Sequence, residues 1–159
     1  MRVPVEPASF AADPATGEPV VVLKAADSDR SLAIAIGTAE AAAIAMKSLD
    51  VAAQRPLTID LAVAVIDRLG GRVESMVIYD LVEHSYLARI NVVAGNALHV
   101  IDCRPSDAIA LAMRCDAPML VEDAVFAKSA TGTHDGERDG LADTVAGIDT
   151  LDFGRYHLE

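Results

Sequence analysis

The chain has 159 residues, 52% of them hydrophobic, with two cysteines, no tryptophan and a formal net charge of −11. That length is one domain, able to bury a core without metal or disulfide staples, and the apolar fraction excludes a wholly disordered chain. The acidity and an aromatic content of only 4% exclude a broad basic face and a base-stacking platform, so an anion must be met locally by arginine or by a bound metal.

The opening M-R-V-P-V-E-P lacks the apolar centre of a signal peptide, and no run approaches a membrane span. Cys103 and Cys115 match no zinc spacing. These features predict a cytoplasmic protein with reduced thiols. Residues 8–19, with Pro14, Gly17 and Pro19, read as a loop. Val20 to Lys24 reads as a strand, Asp27-Ser28-Asp29 as a turn, and Ser31 to Ile36 as a second strand by its alternation. Thr38 is the expected cap of a helix running to about Leu49, with Glu40 in its first turn, where the helix dipole favours a carboxylate. Thr58 is the expected cap of the next. In that helix Leu61, Val65 and Leu69 recur at helical spacing, Asp60, Ala64 and Asp67 lie on the other face, and Gly70-Gly71 ends it.

Arg72–Val82, Ser85–Val93 and Ala97–Asp102, joined by short connections, read as an antiparallel meander. Met76 and Ile78 would share one face, Val77 and Leu81 the other, so the sheet is expected to be covered on both sides, by helices or by a second subunit. Pro105 suits the first position of a third helix, ending near Arg114. Met119 to Val121 reads as a last short strand, and Val125 and Phe126 as part of a small final helix. The whole predicts an α+β domain: a mixed, largely antiparallel sheet with three main helices in one compact unit over residues 1–127, followed by an acidic, flexible tail over 128–159.

Two groups of residues carry candidate chemistry. Arg104-Pro105-Ser106-Asp107 opens a helix after a strand, and its free N–H groups, the Arg104 fork and the Ser106 hydroxyl together suit a small anion. The same residues are ordinary helix-start chemistry, and Arg104 can simply pair with Asp107 or another acid. The carboxylates Glu40, Asp60, Asp102 and Asp107 sit at element starts or ends and could position Mg²⁺ or Mn²⁺, or a water, for phosphodiester hydrolysis. For three of them the helix dipole is sufficient reason; Asp102 has no such reason. No histidine pair has ligand spacing, no nucleophile motif is present, and Gly70-Gly71 follows a helix rather than preceding one.

The segments V-V-V-L-K (20–24), I-G-T-A-E-A-A-A-I-A (36–45), R-P-L-T-I-D-L (55–61), Y-L-A-R-I (86–90) and I-D-C-R-P-S-D-A-I-A-L-A-M-R (101–114) resemble the bifunctional nuclease domain family of bacteria and plants over about residues 1–127. The resemblance implies a compact α+β fold, association into homo-oligomers, and nuclease activity on DNA and RNA. It carries the family's polar motif onto Glu40, Arg55, Thr58, Asp60, Arg89, Asp102, Arg104, Ser106 and Asp107. Glu40, Asp60, Asp102 and Asp107 are then the catalytic candidates, with Asp102, Asp107 and Glu40 as candidate metal ligands. Arg55, Thr58, Arg89, Arg104 and Ser106 are the phosphate-binding candidates. Two departures stand out. Ile59 occupies the position of the family's usual histidine and cannot move a proton, and Ala33-Ile34-Ala35-Ile36-Gly37 replaces a segment that usually carries tryptophan. A non-catalytic module of the same fold, recognising an anion or a protein partner, is the alternative reading.

Overall fold

A computed structural model describes residues 1–132. Seven strands and four helices follow in the order β1 (Arg2–Ala12), β2 (Pro19–Ala25), β3 (Ser31–Ala35), α1 (Thr38–Ser48), α2 (Thr58–Arg68), β4 (Gly71–Val82), β5 (Ser85–Ala94), β6 (Ala97–Cys103), α3 (Pro105–Arg114), β7 (Met119–Glu122) and α4 (Asp123–Gly132). The strands form one mixed sheet in the order β3-β2-β1-β7-β4-β5-β6. β1, β2 and β3 pair antiparallel, as do β4, β5 and β6. β7 lies between the two groups, antiparallel to β1 and parallel to β4.

One face of the sheet is apolar along its width. Val3 and Val5, Val21 and Leu23, Leu32 and Ile34, Val121, Met76 and Ile78, and Ala88, Ile90 and Val92 join Ile44 of α1, Ala108 to Ala112 of α3 and Val125 of α4 in a single buried cluster. Small alanines on α1 and α3 let these helices approach each other and the sheet closely. The expected α+β domain is therefore present; it has four helices rather than three main ones, since α4 is as long as α3. α4 runs beyond Lys128 to Gly132; the remainder of the acidic segment lies outside the described residues. None of the described helices is long and apolar enough to cross a membrane.

Four local expectations are corrected. Residues 8–12 are not loop but the end of β1, an 11-residue strand that contains Pro4 and Pro7 and absorbs a register shift between Pro7 and Ser9. Thr38 and Thr58 are first helical residues; the caps are Gly37 and Leu57, neither with a side-chain cap bond. Leu61, Val65 and Leu69 are exposed, and α2 packs instead through Ile59, Ala62, Val63 and Ile66. Leu81 lies on the same side as Met76 and Ile78, because a bulge between Ile78 and Asp80 reverses the alternation. Val77 faces the other side without exposure, flanked by its register partners Arg89 and Leu120.

Candidate functional site

β6 ends at Cys103 and α3 begins at Pro105, with Arg104 as the N-cap in extended conformation. Proline at this first position removes an N–H that would have no partner there. Arg104 does not project freely. Its Nε and Nη2 donate to Asp107 Oδ2 and Oδ1 at 2.8 and 3.0 Å, and its Nη1 lies 3.2 Å from Glu40 Oε1. The guanidinium thus bridges the first turn of α3 to the first turn of α1. Glu40 reaches it by folding back over Gly37, where a Cβ would collide with Glu40 Oε2. Asp107 and Glu40 hold the Arg104 proton more firmly than usual, through the Asp107 hydrogen bonds first. Asp107 also acts on Cys103. Burial, then Asp107 and Asp102, push that thiol up to about 11, which keeps it protonated near neutral pH and disfavours the nucleophilic thiolate.

A second group lies on the sheet beside this corner. Arg89 of β5 and Asp102 of β6 are register partners and share the face opposite the core. The Tyr79 hydroxyl donates to Asp102 Oδ1 at 3.1 Å, and the Arg89 guanidinium carbon lies 5.1 Å from the centre of the Tyr79 ring. The bond to the Asp102 carboxylate holds the Tyr79 proton above its ordinary range. Arg89 Nε is buried and has no hydrogen-bond partner among the described residues. Tyr79 was not legible as a site residue: it sits at the bulge, and only the cross-strand register brings it to Asp102 and Arg89.

The remaining sequence candidates are elsewhere. Asp60 accepts the Leu57 N–H at 2.8 Å and pairs with Arg114 Nε at 2.6 Å. Arg114 also donates to the carbonyls of Ala110 and Ala43, both at 3.2 Å. One arginine so ties together α1, α2 and the C-terminal end of α3, about 10 Å along the helix from Asp107. Arg114 and the Leu57 N–H hold the Asp60 carboxyl below its usual range, against the effect of burial. Arg55 and Thr58 are exposed near the start of α2, on the Asp60 side. Ser106 is 6% exposed and belongs to the packed side of α3. Ile59 packs partly against the core.

The proposed metal ligands do not converge. Glu40 and Asp107 are both spent on Arg104, and Asp102 is hydrogen-bonded to Tyr79. Among the described residues no three His, Cys, Asp or Glu side chains form a group able to hold an ion. The donor set does not fit a divalent cation in this arrangement.

A sequence model of the bifunctional nuclease domain matches residues 21–134. An uncharacterized protein of Mycobacterium tuberculosis is similar in two strains, CDC 1551 and H37Rv. In each case the identity is 40% over 112 residues, 70% of this chain and 66% of the relative. The chain therefore matches just under two thirds of the length of these relatives.

Proposed function

Because the chain belongs to the bifunctional nuclease domain family, we propose that it hydrolyses phosphodiester bonds in DNA or RNA at the face formed by Arg89, Tyr79 and Asp102, with Arg104 alongside. The observation that carries this reading is Arg89: a buried guanidinium nitrogen without a partner among the described residues, next to a carboxylate, is a donor suited to a phosphate oxygen. Arg89 binds and orients the phosphate. Asp102, positioned by the Tyr79 hydroxyl, takes a proton from the attacking water as its oxygen bonds to phosphorus, and the P–O bond breaks with its electron pair going to the leaving oxygen, which solvent protonates. Arg104 lies alongside, its guanidinium held by Glu40 and Asp107, and a phosphate reaches it only by displacing one of these carboxylates. A local arginine site is compatible with a chain of net charge −11. The free thiols Cys103 and Cys115 support a cytoplasmic setting.

The test is a cleavage assay on single- and double-stranded DNA and on RNA, with Mg²⁺, Mn²⁺ and EDTA arms. Parent, Arg89→Met and Asp102→Asn proteins are purified in parallel. Activity in the parent and background in both variants is expected; equal activity in all three refutes the assignment. Ile59 favours a second reading, a non-catalytic module that binds a nucleic-acid phosphate without cleaving it, since a core-packed isoleucine stands where the resemblance places a histidine. Oligonucleotide binding that needs Arg89, without turnover in any metal arm, selects that reading.

A further inference from the structure

Among the described residues β6 is an open edge of the sheet, and its chemistry is unlike that of a defended edge. Natural edges carry lysine, proline, bulges or a covering element. β3, at the other end, has Leu32 and Ile34 buried and α4 packed near it. β6 has no charged residue from Ala97 to Ile101 and no register shift. The helical layer packs over β4 and β5, so even Ile101, on the core side, is 45% exposed. On the opposite face Leu98 and Val100 are 56% and 57% exposed.

The hydrogen-bonding phase of this edge is set by the turn before it. Ala94 and Ala97 flank the two-residue loop Gly95-Asn96, with Gly95 at a φ of +58°, and such flanking residues exchange both backbone bonds. Alternation then points the free N–H and C=O groups of Leu98, Val100 and Asp102 outward. A segment that meets them must be another strand in the matching phase. Of the two-fold antiparallel registers that satisfy this, the one centred on His99 sets Leu98 opposite Val100 twice on one face. It sets Ala97 opposite Ile101 twice on the other. A register centred on Val100 would set Leu98 against Asp102. The strand is complementary to itself about His99.

We propose that β6 pairs antiparallel with β6 of a second copy of this chain about a two-fold axis at His99, continuing the sheet from one protomer into the next. In this register Asp102 faces Asn96 of the other copy, so the second chain borders the Arg89–Tyr79–Asp102 face. The proposal is independent of whether that face cleaves its ligand.

The mass in solution is measured by light scattering over a dilution series for the parent chain, Val100→Lys and Val65→Lys, the last on the exposed stripe of α2. Circular dichroism confirms that each is folded. The parent and Val65→Lys are expected at twice the chain mass and Val100→Lys at the chain mass. His99→Cys sets two thiols at a non-hydrogen-bonded pair, about 4.5 Å between Cα atoms, within disulfide reach. Oxidation should give a covalent dimer of this variant that the parent, with Cys103 and Cys115 alone, does not form. A parent that is monomeric throughout, a dimeric Val100→Lys, or a dimer dissolved by Val65→Lys and not by Val100→Lys overturns the proposal. A dimer without His99→Cys cross-linking overturns the register.

Discussion

Replacing Asp60 by alanine separates a structural carboxylate from a catalytic one. The Arg114 side chain is 10% exposed and that of Asp60 is 37% exposed. Breaking a fully buried pair from one side costs about 3–5 kcal/mol. Here the carboxylate still touches water, and the Ala43 and Ala110 carbonyls remain on Arg114. Those two facts reduce the loss; the orphaned Leu57 N–H adds a little back. We expect Asp60→Ala to lose about 2–3 kcal/mol at neutral pH, a fall in Tm of roughly 4–12 °C. Asp60 has a folded pKa held below its unfolded value by Arg114, so the folded chain binds fewer protons there. The stabilisation is present above about pH 4 and fades as pH falls through the lower, folded value. Urea melts of the two proteins at neutral and acidic pH should therefore converge at the acidic end. If Asp60→Ala melts with the parent at neutral pH, the tie between α1, α2 and α3 is not what Arg114 provides. If it also abolishes cleavage while leaving stability unchanged, Asp60 returns to the reacting group.

Arg89→Met should leave stability within about 1 kcal/mol of the parent, because the buried Arg89 Nε, without a partner among the described residues, contributes none of the usual hydrogen-bond stabilisation there; isothermal titration with a short oligonucleotide should show its affinity lost. Asn91 Nδ2 donates to Ser75 Oγ at 2.9 Å in a buried pair one step along the same face of the sheet. Asn91→Ala should lose about 1–3 kcal/mol in urea melts, and Ser75→Ala added to it should lose less than the sum of the single changes; strict additivity would refute the coupling. Cys103, with its thiol near 11, should react with iodoacetamide at pH 8 far more slowly than after unfolding, as only about one thiol in a thousand is ionised; labelling at the unfolded rate would contradict its burial.

The β4–β6 meander and the start of α3 are legible because each is local: short turns set the pairing, and Pro105 marks a helix start wherever it occurs. The end of β1 is not, since residues 8–12 run into the Pro14, Gly17 and Pro19 segment that reads as loop, and only their pairing with β2 makes them strand. The face of α2 is misread because Leu61, Val65 and Leu69 and the pair Ile59 and Ile66 offer competing apolar stripes, and the position of α3 selects the second. Arg104 and Asp107 are neighbours in sequence and so are visible as a pair. Arg114 and Asp60 are 54 residues apart, and the Arg89–Tyr79–Asp102 group spans three strands.

The position of β7 dictates an order of assembly. Val3 pairs with Val121, and the carbonyl of Met1 accepts the N–H of Asp123, so the first strand finds its partner near the end of the described chain. Until Met119 to Glu122 are available, β1–β3 and β4–β6 are two separate meanders with no backbone ladder between them. During synthesis the first waits with β1 as a bare edge while more than half the domain is still to be made. Closure of such long-range pairing is intrinsically slow. Four residues therefore work as a keystone: a chain ending before Met119 would lack the one strand that, among the described residues, joins the two meanders.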